Sequence, residues 1–240
     1  MEKLIREPLF YIFFVYGASF LLMFYLVMKG AMKATAGPLV FSFSLLALFG
    51  LTHGITEMVD WVRFILKTVG VGEVKVLTYL SQIFLIASFV ILFQFGLNLL
   101  TYQFEKKSLI RTIPVILFAV FLAVTMSMGI TDILRLGLLA RYGFGFTGAL
   151  LSAIAMFVAA NTMKSLGNEK LVTGLNISAA GFACYAVFGG LITTPIAGIP
   201  VQLFRAACAV TIAVYAFSVL DVYKYVKSKS ELAASWQSAR

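Results

Sequence analysis

Apolar residues in this chain come in long, nearly unbroken runs rather than in the alternating or one-faced rhythm of a water-soluble domain. Seven runs stand out, at about 8–28, 38–58, 76–100, 112–131, 144–163, 171–193 and 200–223. Each is close to the roughly 20 residues a helix needs to cross a hydrocarbon layer, and a helix satisfies its own backbone hydrogen bonds there. The pattern predicts an all-α, polytopic membrane protein with seven transmembrane helices. The punctuation agrees: Pro38 and Pro200 suit first-turn positions, "KGAMKATAG" and "SLGNEK" are polar connectors, and "TTPIAGIP" is a tight turn without charge. Residues 1–223 read as one membrane domain and 224–240 as a cytoplasmic helical tail.

Composition strengthens the same picture. Of 240 residues, 61% are apolar and only 12% charged, against about 25% charged in soluble domains, and the mean hydropathy is +0.99. The N-terminus carries charges of both signs and lacks a small-residue cleavage site, so the first run reads as a span and not a signal peptide. The net charge of +9 is spread over the connectors with no recognition helix, which points to the anionic membrane surface and away from nucleic acid. Cys184 and Cys208 fall inside predicted spans without a CxxC context and read as packing residues.

Counting Lys and Arg near the span ends orients the bundle. The side holding the 29–33, 106–111, 164–170 and 224–240 segments carries eleven, the other side, which includes Arg63, Arg135 and Arg141, carries seven. The first side is expected in the cytoplasm, placing the N-terminus outside and the C-terminus inside.

The stretch "LTHGITEMVDW" at 51–61 breaks the apolar pattern. At 100° per residue His53, Glu57 and Asp60 share one stripe of the second helix, and His53 lies about 22 Å from Pro38, near the predicted outer boundary. Arg205, in "VQLFRAACAV" just after Gln202, is the one basic residue predicted within a span; an intramembrane arginine faces the bundle interior and finds a partner. Glu57, Asp60 and Asp132 are its candidate counter-ions, and Asp132 with Arg135 in "GITDILRLG" falls at the same level. The expectation is a polar pocket beneath the outer surface, formed by His53, Glu57, Asp60, Trp61, Asp132, Arg135, Gln202 and Arg205. It serves either as a structural lock between the second and seventh helices or as a ligand- or proton-responsive site, since histidine titrates near physiological pH.

Other chemistry finds less support. His53 and Glu57 at i, i+4 offer two metal ligands where stable sites want more nitrogen or sulfur donors, and haem at the single His53 lacks a second axial group apart from methionine or solvent. The chain has no triad, P-loop or GxGxxG unit, so no enzyme and no cofactor are expected. The three glycines of "YGFGFTG" suit a tight turn and close helix packing. Transport stays open, because Gln94, Asn98 and Asn176 put polar groups in the cytoplasmic half, although no inverted repeat or broken midplane helix is evident.

Three stretches, "FGLTHGITEMVDW", "RYGFGFTGALLSAIAM" and "GIPVQLFRAACAVTIAVYAFSVLDVY", resemble the N-terminal multi-helix membrane sensor modules of bacterial sensor histidine kinases and related signalling proteins. In that pattern His-Gly is followed by Glu-Trp; here His53, Gly54 and Glu57 fit, Met58 stands in place of the tryptophan, and Trp61 follows Asp60. The resemblance implies a seven-span sensor of the inner membrane, with Arg205 in the signalling site and a cytoplasmic output domain or partner. No phosphoacceptor helix or ATP lid occurs here, so the chain is expected to be either a module of a longer protein or a stand-alone sensor. The tail places Val222, Tyr225, Leu232 and Trp236 near heptad spacing, which fits a homodimer or an amphipathic helix on the anionic leaflet. The alternative class is a membrane subunit of a redox complex or a small transporter with a quinone or solute path.

Overall fold

The computed structural model describes residues 7–34, 38–101, 107–164 and 167–238, with side chains placed for 7–34, 39–101, 112–164 and 167–224. Among these residues all regular structure is helical, apart from one isolated bridge pairing Ile196 with Ile199 in the turn before the last helix. The helices are α1 (Pro8–Lys33), α2 (Pro38–Thr68), α3 (Lys75–Leu100), α4 (Lys107–Ser127), α5 (Ile133–Met163), α6 (Glu169–Leu191) and α7 (Val201–Ser238). All but α4 are long and apolar enough to cross a membrane; in α4 the stretch with described side chains, Thr112–Ser127, is shorter. This is a membrane-embedded protein. Large apolar side chains such as Tyr11, Phe14, Leu22, Val76, Ile83, Phe157 and Val214 lie exposed on the outside of the bundle, where they suit lipid and would be a liability in water.

Helix ends follow local chemistry. Pro8 and Pro38 open α1 and α2, where a missing N–H costs nothing. The Asp132 carboxylate accepts from Leu134 N (3.1 Å) to cap α5, and Asn168 Oδ1 accepts from Leu171 N (3.2 Å) to cap α6. The α2–α3 turn is made at Gly70 and Gly72, both with positive φ of 87° and 85°.

Six helices pack side by side as a closed ring in the order α1, α2, α3, α5, α6, α7 and back to α1, while α4 lies outside against α3. α1 therefore separates α2 from α7. Close approach depends on glycine, as in lipid-embedded bundles generally. A Cβ on Gly50 would come within 2.9 Å of Phe20 O and Phe24 N on α1; one on Gly148 would meet Phe93 N of α3 at 2.9 Å, and one on Gly181 would meet Ile212 of α7 at 2.9 Å. Inside the ring Phe43, Leu46, Phe95, Met156, Phe182 and Ile212 are buried in one continuous core.

The helices depart from the predicted spans in two places that matter. α2 runs ten residues past the predicted end at 58, so His53 sits at its middle, 15 residues from either terminus or about 22 Å of helix each way, and not near its outer end. α5 begins at Ile133 where the hydropathy pattern starts at 144, so Arg141 belongs to the helix and not to a flanking loop. Both departures share one cause: amphipathic helical turns beyond the apolar run stay helical because packed neighbours and paired side chains satisfy their polar groups. The face on which α1 starts and the chain turns from α2 to α3 and from α6 to α7 is called the upper face below.

Gly50→Ala is expected to push α1 from α2 and cost about 1–3 kcal/mol, the usual penalty of overpacking. Gly143→Ala, whose added Cβ meets nothing within 4 Å, should leave the thermal midpoint in detergent unchanged. Equal midpoints for the two variants would contradict the tight α1–α2 seam.

Candidate functional site

His53 points to the axis of the ring and is fully buried. Phe20 of α1, Phe49 of α2, Phe89 of α3 and Tyr185 of α6 surround its imidazole, with ring centroids at 4.4, 5.3, 5.5 and 6.2 Å. Nδ1 lies 2.9 Å from Ser88 Oγ, and Ser88 donates its own hydroxyl proton to Leu85 O at 2.7 Å. Ser88 Oγ is therefore the acceptor and Nδ1 carries the proton, an assignment that follows from the network. That leaves Nε2 as a lone pair, faced by Tyr185 Oη at 3.1 Å, Tyr16 Oη at 3.3 Å and Glu57 Oε1 at 3.5 Å. Three groups converge on one lone pair. Only one of the two tyrosine hydroxyls can donate to it at a time, so the same heavy atoms admit more than one arrangement of protons.

Glu57, one turn along α2, is buried and lies within electrostatic reach of Tyr16 and of the guanidinium of Arg205. Arg205 is buried too, but its short backbone contacts are on α6: Nε donates to Phe188 O at 2.6 Å and Nη2 to Ile192 O at 2.7 Å. Arg141 of α5 joins it, donating from Nη1 to Gly189 O at 2.8 Å and lying 5.7 Å from the centre of the Phe89 ring. Both guanidiniums thus engage the carbonyl-rich end of α6, where unpaired C=O groups and the helix dipole favour a cation.

That end is unusual. Residues Ala186–Leu191 form a π-helical turn, as do Arg141–Phe146 in α5, and the two turns pack on each other. Wide π turns leave carbonyls open to side chains and recur at functional sites. Glycine permits the contact: a Cβ on Gly190 would come within 2.6 Å of Phe146 Cα, and one on Gly145 within 3.0 Å of the Phe89 ring. Of the glycines of "YGFGFTG", Gly145 and Gly148 allow close helix packing and Gly143 faces open space, all of them within a helix and not at its entrance.

Every ring helix contributes to this hub: Tyr16 from α1, His53 and Glu57 from α2, Ser88 from α3, Arg141 from α5, Tyr185 from α6 and Arg205 from α7. Of the residues expected from sequence, His53, Glu57 and Arg205 come together. The others lie elsewhere. Asp60 pairs with Arg63 (2.7 Å) nearer the upper face, and Trp61 donates from Nε1 to Phe10 O (3.0 Å), packing on Phe10 and Phe14 to tie α2 to α1. Asp132 caps α5 and sits 3.8 Å from the largely exposed Arg135, so it is no counter-ion of Arg205. Gln202 is half-buried one turn before Arg205. Tyr16, Ser88 and Tyr185 were missed because hydroxyls within apolar runs carry no pattern of their own; Arg141 was missed because hydropathy placed the span boundary after it.

Among the described residues no three His, Cys, Asp or Glu side chains are arranged to hold a metal ion, and Cys184 and Cys208 are free thiols. Compared with protein-family models, with curated proteins and with solved structures, the chain matches none.

Ser88→Ala strands the Nδ1–H of a fully buried histidine and is expected to cost about 1–3 kcal/mol. Tyr185→Phe should cost less, because the Tyr16 hydroxyl remains to serve Nε2. Thermal unfolding of both variants in the same detergent checks the order; a larger loss for Tyr185→Phe would contradict the proton placement.

Proposed function

We propose that this chain is a membrane sensor module that registers a small or lipid-soluble signal, or local pH, at its extracytoplasmic face and passes it along α7 to a cytoplasmic output domain or partner protein. The observation that carries this reading is the continuity of α7. It begins four residues before Arg205 in the hub and runs unbroken for 38 residues, about 57 Å of helix, well beyond a hydrocarbon layer about 30 Å thick. A change at Arg205 is thereby coupled to a rigid rod that emerges from the lower face. The competing donors around His53 Nε2 supply the second requirement, an element with more than one arrangement that a signal can bias. Tyr16 on α1, the helix that stands between α2 and α7, hydrogen-bonds to His53 and is the link this reading assigns between those two helices. The resemblance of the three stretches to sensor-kinase membrane modules points the same way, and a homodimer along the emerging helix is its simplest output geometry.

The same reading takes α4 as a seventh span, the upper face as extracytoplasmic and the membrane as the inner one. The position of Arg141 within α5, half-buried and bonded to Gly189 O, supports that orientation, because it removes one charge from the upper flank and leaves six Lys and Arg there against eleven below. A membrane subunit or small transporter is the second reading; it rests on the Gln94–Asn98 hydrogen bond at 2.8 Å and on the buried, unpartnered Asn176 Oδ1 lower in the bundle, and solute flux into proteoliposomes tests it.

Two experiments test the main reading. In a background with Cys184 and Cys208 replaced, a membrane-impermeant maleimide should label Lys75→Cys in intact cells and Lys170→Cys only after permeabilisation; the opposite pattern overturns the orientation. With a histidine-kinase core fused in helical register after Ser238, Arg205→Ala and Tyr16→Phe should change autophosphorylation several-fold at matched membrane expression. Unchanged kinase activity in both would sink the sensor reading.

A further inference from the structure

A second cluster of charge lies above the hub, toward the upper face. Asp60, Arg63, Phe64 and Lys67 of α2, Phe13 of α1 and Glu73 of the α2–α3 turn surround an open cavity of about 470 Å³, a size typical of small-molecule sites. Its wall is apolar where the Phe13 and Phe64 rings meet at 5.6 Å. Its charged rim has a definite order. Arg63 Nη1 donates to Asp60 Oδ1 at 2.7 Å, and Nη2 donates over a longer 3.4 Å to Glu73 Oε1, an oxygen that also accepts from Thr78 Oγ1 at 2.9 Å.

Each carboxylate of this rim already has a donor, while two groups on its cationic side chains have none. Asp60 has Arg63, and Glu73 has Thr78 and a long contact to Arg63. By contrast Arg63 Nε is buried without a partner, and Lys67, one helical turn above Arg63 on the same face, is exposed and is paired with no carboxylate among the described residues. A ligand that completes this site must supply acceptors. Glu73 is the partner that can give way: it is 63% exposed and rides on the turn between Gly70 and Val74, which owes its shape to two left-handed glycines.

We propose that this cavity binds the anionic head of a small amphiphile, a carboxylate or phosphate that takes Arg63 and Lys67 while its apolar part lies over Phe13 and Phe64. The head replaces Glu73 as the second acceptor on Arg63, giving a charge-assisted contact in place of a long one. Lys67 adds a second positive charge at the mouth. The same chemistry is presented by a free amphiphile reaching the upper face and by the headgroup of an anionic lipid in the adjoining leaflet. The site does not depend on the signalling reading, since binding here can be measured whatever the hub does.

The test uses the full chain in nanodiscs of uncharged phosphatidylcholine, with decanoate as the free probe and phosphatidylglycerol, added to the disc, as the lipid probe. Quenching of Trp61, two residues from Arg63 on α2, and native mass spectrometry report occupancy. Saturable binding of decanoate, or retention of phosphatidylglycerol, supports the site and identifies the source of its ligand. Lys67→Gln should weaken binding by about fivefold to tenfold, the scale of losing one partly exposed charge contact. Glu73→Gln, which removes the competing acceptor, should strengthen it. Saturable binding of neither probe, equal affinity in Lys67→Gln, or weaker binding in Glu73→Gln would overturn the proposal. The Glu73→Gln arm guards against misfolding, because a gain in affinity requires an intact site.

Discussion

A polar side chain inside a ring of helices within lipid has no water to fall back on, and its only partners are other side chains and whatever backbone the helices leave open. Around His53 this constraint organises the fold. Each of the six ring helices brings at least one polar group to the same level, and partners are found across helices: His53 with Ser88, Tyr185 and Tyr16, the arginines with carbonyls at the end of α6. Loss of a member without a substitute, such as Ser88, leaves another unpaired, so the hub helps to specify which helices are neighbours. Glycine seams such as Gly50 against α1 and Gly148 against α3 then set how closely they approach.

The two arginines show how a positive charge is tolerated at this depth. An intramembrane arginine is expected to seek a carboxylate, and Glu57 is within electrostatic reach of both. Their short hydrogen bonds nevertheless go to backbone carbonyls at Phe188, Gly189 and Ile192. Phe188 and Gly189 lie in the last turn of α6 and Ile192 just beyond it, where a helix leaves its carbonyls without intrahelical partners. Arg205 thereby belongs to α7 by sequence and clamps the end of α6 by contact. A disturbance of the hub is shared among three helices, one of which continues far past the lower face. The charged rim begins at Asp60, one turn of α2 above Glu57.

Much of this architecture was legible in the chain. Long apolar runs meant membrane helices because a helix satisfies its own backbone in lipid, and charges interrupting those runs marked the positions to watch: His53 and Glu57 meet, and Arg205 lies within electrostatic reach of both. What hydropathy could not register was polarity without charge. Tyr16, Ser88 and Tyr185 contribute to an apolar run as readily as to a hydrogen-bond network, and only their neighbours decide which. Asp60 and Asp132 erred in the other direction. Their helical phase and depth suited a shared pocket, but Arg63 lay three residues from one and an open helix N-terminus beside the other, and these nearer partners won.

The sequence by itself determined that the protein is helical and lives in a membrane, along with the approximate run of each span and the stripe of α2 that carries its polar groups, because those properties depend only on local composition and the 3.6-residue repeat. Tertiary structure alone decided that α1 stands between α2 and α7, that α4 lies outside the ring, that Arg141 reaches the end of α6, and that two helices open into π turns packed on each other. Those outcomes depend on which surfaces meet and on which donor reaches which acceptor first, and such competition between distant segments leaves no periodic trace along the chain.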